Sequence, residues 1–332
     1  MALPRRKMNP EVQRPNRKTK LRNGIFTDYL GMALVLAALV VAFGLTTQHF
    51  LTLTTFRTIA NQIPDAVLVA TGMTFVLIVG GIDLSVGSVL ALGGSLLGVS
   101  LVRYHLPLPV AVAACLGVGL MCGLINGVVI ARWAIPSFIV TLGMMEMARG
   151  GAYLVANSQT QYIGGSIEAI AETSVLGLSL PFLFAVAVAV AGQFVLSHTV
   201  FGRRMIAVGA NEDAARLSGV DARGIKLVVF MLCGFLASIA AVMQSARLSS
   251  ADPNAGAGSE LQAIAAVVIG GTSLMGGRGS VVNSFFGVLI IAVLGAGLAQ
   301  MGAQEPTKRL ITGGVIVAAV LLDHYRHRLH RK

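Results

Sequence analysis

Apolar residues in this 332-residue chain fall in blocks of roughly 17–24, the length that crosses a hydrocarbon core about 30 Å thick. Ten spans are expected, at about 29–46, 58–80, 84–102, 108–130, 136–155, 180–197, 226–246, 260–276, 281–300 and 310–322. The second is interrupted by Pro64 and Asp65, and the last is short. Charged residues make up only 12%, against about 25% in an ordinary soluble chain. The expected fold class is an all-α polytopic membrane protein.

Charge placement sets the expected orientation. Eight Lys and Arg precede Tyr29, five lie in Ser197–Lys226 and four follow Asp323. Arg132 and Arg278 fall on the same side of an even-span layout, whereas Arg57, Arg103, Arg247, Lys308 and Arg309 fall opposite. The positive-inside bias therefore predicts both termini in the cytoplasm. The net charge of +11 hugs span ends, which fits anionic headgroups and argues against nucleic acid. The basic stretch Arg5–Arg22 resembles the start of a signal peptide, but no small-x-small cleavage site follows, so the first span is taken as retained.

Three regions follow: a basic cytoplasmic leader over 1–28, a transmembrane domain over 29–323 with a cytoplasmic connection at about 198–226, and a basic cytoplasmic tail over 324–332. No hydrophilic segment is long enough for an independent core. There is no Gly-x-x-x-x-Gly-Lys-[Ser/Thr] loop, no Ser/His/Asp arrangement and no His-Glu-x-x-His, so neither nucleotide hydrolysis nor other enzymatic chemistry is expected here. Cys115, Cys122 and Cys233 lie within spans and suit packing, and no cofactor or metal is expected on this chain. His324, His327 and His330 fit a charged tail better than a metal site.

The residues that point to function break the apolar pattern. Val79–Ser88 places Asp83 and several glycines inside a hydrophobic region. A carboxylate at that depth costs about 2.5–3.5 kcal/mol on insertion scales and faces protein or water. A broken helix beside a polar pathway would use Gly80, Gly81, Asp83 and Ser85 together, with Asn126 as a further polar group. Gly270, Gly271, Gly276, Gly277, Arg278 and Gly279 form a second glycine-rich stretch, either a re-entrant turn or a tight connection. Gly80–Leu84 is echoed by Gly270–Leu274, as in a duplicated architecture.

The connection around Arg203, Arg204 and Gly209 leads into a segment with helix punctuation. Asn211 suits an N-cap, and Glu212 and Asp213 favour the positive end of the dipole. Ala214 and Ala215 follow, Arg216 lies near the C-terminal end, and Gly219 can terminate the helix. About seven helical residues are marginal alone and gain stability by docking. Glu146 and Arg149, three apart, are expected to pair structurally. Gly119, Gly123 and Gly127, and likewise Gly94 and Gly98, are expected to serve internal helix packing. Asn61, Gln62, Asn126, Gln193, Gln244 and Gln262 are expected to bridge helices.

Four stretches in order resemble ribose-type permeases, the membrane subunits of bacterial ABC sugar importers. They are Gly80–Ser88, Gly123–Gly127, Pro136–Gly143 and Ala266–Ser280. The resemblance covers Tyr29–Asp323 and implies an inner-membrane pair of permease subunits, two copies or two different chains. It further implies a cytoplasmic tandem ATP-binding subunit that uses the ATP and a periplasmic sugar-binding protein. The segment Asn211–Gly219 would then be the coupling helix, and the transported solute ribose or a similar sugar. Rival functions are an ABC permease for nucleosides or branched-chain amino acids, and an ion-coupled secondary transporter.

Overall fold

The computed structural model describes residues 17–329; the leader up to residue 16 and the last three residues of the tail lie outside the described residues. The first helix, α1 (Arg17–Thr46), is followed by α2 (Leu53–Gln62) and α3 (Pro64–Ile78). Then come α4 (Val86–Val102), α5 (Leu108–Trp133) and α6 (Ser137–Ala156). A short excursion holds β1 (Gln161–Tyr162), α7 (Gly165–Glu172), β2 (Ser174–Val175) and β3 (Leu178–Ser179). The remainder is α8 (Leu180–His198), α9 (Val200–Ala210), α10 (Glu212–Leu217), α11 (Ala222–Leu248), β4 (Ser250–Ala251), α12 (Ser259–Ile269), α13 (Val281–Gln300) and α14 (Glu305–Leu329). Two antiparallel ribbons, β1 with β4 and β2 with β3, interrupt an otherwise helical architecture.

A helix occupies each of the ten expected apolar segments, but their lengths are unequal. By length and composition α5, α8, α11 and α13 can each cross a membrane, and α2 with α3 makes a fifth span bent by 50°. The bend has a local cause. Pro64 opens α3 and has no N–H to continue the helix, so α2 stops at Gln62. In α12 only Ser259–Ile269 is helical, where a span to about 276 is expected, because Gly270 and Gly271 close the helix early.

The core is built around α11, which packs on α5, α3 and α4. Here the glycine ladder of α5 serves packing within the chain, as expected. A Cβ at Gly119 would lie 2.5 Å from the Ser238 side chain, one at Gly123 2.9 Å from Met231 Cα, and one at Gly127 2.8 Å from the Leu227 carbonyl. Bare backbone lets the helices approach closely where lipid supplies no hydrophobic drive. Gly98 plays the same part in α4, where a Cβ would meet Ala251 at 2.7 Å. Cys115, Cys122 and Cys233 are buried and unpaired within this core.

Candidate functional site

Two segments leave helical geometry inside the bundle. The first joins α3 to α4. Gly80 (φ +77°) takes the left-handed conformation, its N–H donates to Leu77 O, and Gly81 N–H donates to Val76 O. The backbone then runs without helical structure through Asp83 to Ser85. Ser85 N–H and Ser85 Oγ both donate to Asp83 Oδ1, at 2.9 and 2.6 Å, and Asn126 Nδ2 donates to Ser85 Oγ at 3.1 Å. All three side chains are buried. Asp83 thus anchors the unwound segment, and Asn126 bridges it to α5.

The second segment lies between β4 and α12. Ala251 packs at Gly98 of α4, and Ser259 packs at Gly87, whose Cβ would stand 2.7 Å from Ser259 Oγ. Eleven helical residues separate those two glycines, so residues 251–259 descend about 16 Å along α4 without forming a helix. This stretch therefore runs alongside α4 as non-helical backbone before entering α12. Sequence composition reads it as a connection, because Pro253, Gly256 and Gly258 mark a loop wherever it lies.

Helix α6 supports both segments. Ser137 Oγ accepts from Ile82 N–H at 2.9 Å, and Thr141 Oγ1 accepts from Leu84 N–H at 3.1 Å. Three and four turns further on, Arg149 Nη1 donates to the carbonyls of Pro253 and Ala255, at 2.7 and 2.9 Å, and Tyr153 Oη donates to Asn254 Oδ1 at 2.9 Å. The expected Glu146–Arg149 pair is absent among the described residues. The physical reason is competition: two carbonyls released by unwinding inside the bundle gain more from a guanidinium than an exposed carboxylate does. Replacing Arg149 by Met keeps the length but strands both carbonyls. The expected loss is about 2–3 kcal/mol in thermal stability of the purified protein, checked by its unfolding midpoint against that of wild type.

At the opposite end of α3 from Pro64, three pieces of backbone meet. Gly277 N–H donates to Ile78 O at 2.8 Å. A Cβ on Gly276 would lie 2.7 Å from Gly209 O and 3.0 Å from Gly80 N, and one on Gly277 would lie 2.8 Å from Ala210 Cα. Gly279 packs on Ile78 as well. Of the second glycine stretch, Gly271 (φ +81°), Gly276 (φ +84°) and Gly277 (φ +75°) use conformations that side chains disfavour. Arg278 is exposed, and its carbonyl accepts from Ser273 N–H to close the loop. It is a tight connection docked on α3 and α9.

The echo between the two glycine pairs is shifted by one position. Gly271 N–H donates to Val268 O and Thr272 N–H to Val267 O, which repeats the Gly80 and Gly81 pattern at the end of α3. Gly80 therefore corresponds to Gly271, not Gly270, because the shared feature is the left-handed helix cap.

The joint continues directly into α10. Asn211 Oδ1 accepts from Ala214 N–H at 2.9 Å, Glu212 and Asp213 open the helix, and Arg216 closes it. Gly219 (φ +80°) terminates it, with its N–H on Arg216 O and Val220 N–H on Ala215 O. Ala215 is buried against the bundle, whereas Ala214, Arg216 and Leu217 face outward. Lys226 pairs with Glu212 at 2.6 Å and ties α10 to the first turn of α11. Sequence punctuation does not reveal α9 before it, capped by Thr199, in which Arg203 and Arg204 are exposed and Met205 and Val208 buried.

Polar side chains near the spans mostly bridge elements. Asn61 accepts from Ser179 N–H at 2.8 Å, Gln244 donates to Asp65 at 3.2 Å beside the Arg247–Asp65 ion pair, and Gln193 accepts from Val281 N–H at 2.8 Å. Gln62 and Gln262 make no side-chain hydrogen bond among the described residues. A cavity of about 490 Å³, lined by Asn61, Gln62, Asp65, Glu172 and Arg247 among others, opens at the α2–α3 bend, at the end of α3 away from α10.

Fold and site together define a multi-pass helical membrane protein with discontinuous spans, the construction used by transporters. The chain belongs to the family described as branched-chain amino acid transport system / permease component, whose model matches residues 55–320. It is 39% identical to the ribose import permease protein of Escherichia coli (strain K12) over 296 residues, covering 88% of this chain and 92% of that one. It is 36% identical to the D-allose transport system permease protein of the same strain over 302 residues (90% and 92%). Identity to the fructose import permease protein of Rhizobium meliloti is 34% over 303 residues (88% and 84%). No solved structure matches.

Proposed function

We propose that this chain is the membrane-spanning permease subunit of a bacterial ABC importer for a monosaccharide, ribose or a similar sugar. The observation that carries this is the backbone joint among Ile78, Gly209 and Gly277. It connects the outward-facing α10 to the unwound segment before α4 and to the glycine loop after α12, so a push on α10 reaches the middle of the bundle. The sugar names of the full-length relatives support the solute class over branched-chain amino acids, the solute in the family description.

On this reading ten spans lie in the inner membrane with both termini in the cytoplasm. The chain itself binds no cofactor and has no ATPase site; a tandem ATP-binding subunit docks on α10, where Leu217 is 90% exposed, and hydrolyses ATP. A second permease subunit completes the passage, and a periplasmic sugar-binding protein delivers solute to the cavity side. The bundle alternates between inward and outward access.

Reconstitution tests this. Vesicles holding the permease with its ATP-binding subunit and binding protein are expected to accumulate labelled ribose uphill, only with ATP inside the compartment that the ATP-binding subunit faces. Uphill accumulation by the permease alone, or uptake abolished by an uncoupler while ATP is maintained, would overturn the proposal. Labelled leucine accumulating in place of ribose would move the chain to the amino-acid branch.

A further inference from the structure

Glu146 takes no part in the joint or in either unwound segment. It sits at the midpoint of the 20-residue α6, on the same side as Arg149 and Tyr153 and opposite the buried face of Thr141, Met144, Ala148 and Ala152. It is exposed and makes no hydrogen bond or ion pair among the described residues, Arg149 being engaged by the carbonyls of Pro253 and Ala255. On its face Ile139 and Leu142 are exposed and apolar, as are Phe138 and Met147 to either side. Gly143 and Gly150, about one turn to either side, have nothing within 4 Å of where a Cβ would stand. A lipid-facing apolar helix does not carry a bare carboxylate at its midpoint, since such a group faces protein or water.

We propose that Glu146 lines the water-filled passage and accepts hydrogen bonds from hydroxyls of the passing sugar. The outer face of α6 is then one wall, and a second permease chain closes the other side. This rests on the importer function above and adds the group that meets the solute. A carboxylate is acceptor-only, which suits a neutral polyhydroxylated molecule whose O–H groups donate. It also repels anions such as sugar phosphates. The two open glycines leave room for a hydrated solute beside the carboxylate.

Cys115, Cys122 and Cys233 are buried, so an added exposed cysteine can be followed in the full complex without removing them. Glu146→Cys is compared with Val190→Cys, exposed near the middle of α8 on a face without charge. A charged methanethiosulfonate reacts with thiolate, which forms in water and not in lipid. Labelling of Glu146→Cys is expected to be on the order of tenfold faster or more, and ribose is expected to slow it. Glu146→Leu is expected to lower uptake about tenfold, the loss of one charge-assisted hydrogen bond. Glu146→Gln, which can still accept, is expected to recover most of it.

Equal labelling at the two positions would overturn the proposal, as would a Glu146→Cys that cross-links to its symmetry mate without being labelled. Uptake by Glu146→Leu equal to wild type would do the same. A wild-type complex that fails to accumulate sugar on ATP would instead overturn the importer function, because the labelling contrast is read without transport.

Discussion

Gly209→Ala is expected to uncouple the assembled complex, with ATP hydrolysis continuing while sugar uptake falls on the order of tenfold or more. The added Cβ would overlap the Ile78 carbonyl and stand 2.6 Å from Gly277 N. Both neighbours are backbone, so no side-chain rotation relieves the clash. The joint must open, which stretches the 2.8 Å hydrogen bond from Gly277 N–H to Ile78 O. Overpacking of this kind costs about 1–3 kcal/mol, small against the stability of the whole bundle but large against a motion that must be transmitted faithfully. The measurement is sugar transported per ATP hydrolysed, with assembly verified. A wild-type ratio would show that force does not cross this contact.

Asp83→Ala is expected to be the most damaging single change to the unwound segment before α4. It leaves Ser85 N–H without its acceptor and frees Ser85 Oγ from the carboxylate that orients it for Asn126. Each donor left bare in a buried site costs about 1–3 kcal/mol. The unfolding midpoint of purified protein should fall markedly, and uptake with it. Asp83→Asn separates geometry from charge, because an amide oxygen can still accept both bonds. Stability near wild type in Asp83→Asn, with the loss confined to Asp83→Ala, assigns Asp83 a structural role. A wild-type midpoint in Asp83→Ala would remove the anchor from this account.

How far the chain could be read in advance depended on the range of the interactions involved. The α10 helix was legible because its start and stop are local: Asn211 caps three residues on, and Gly219 supplies the positive φ that ends it. The α5 ladder was legible as packing because bare backbone at four-residue spacing makes a continuous groove. Asp83 stood out as a carboxylate in an apolar run, and its partner Ser85 is only two residues away. In contrast, Ser137 and Thr141 are ordinary hydroxyls in sequence and acquire meaning only from the amides of Ile82 and Leu84 that they accept. Arg149 was assigned the wrong partner. Spacing offered Glu146, whereas the carbonyls it binds lie more than a hundred residues along the chain. The repeat of glycine pairs was visible, but its register depended on which glycine adopts the left-handed cap.

By itself the sequence determined a helical, membrane-crossing architecture with basic ends and two glycine-rich breaks in its apolar pattern. Apolar run length, Gly and Pro punctuation and charge bias are properties of short stretches that act without knowledge of the rest. Only the tertiary structure decided that α6 holds both unwound segments and leaves Glu146 exposed, without a partner among the described residues. It alone brought Ile78, Gly209 and Gly277 into a single joint. Those outcomes rest on orphaned backbone groups finding donors and acceptors across the bundle, and no local pattern encodes which distant residue will be there.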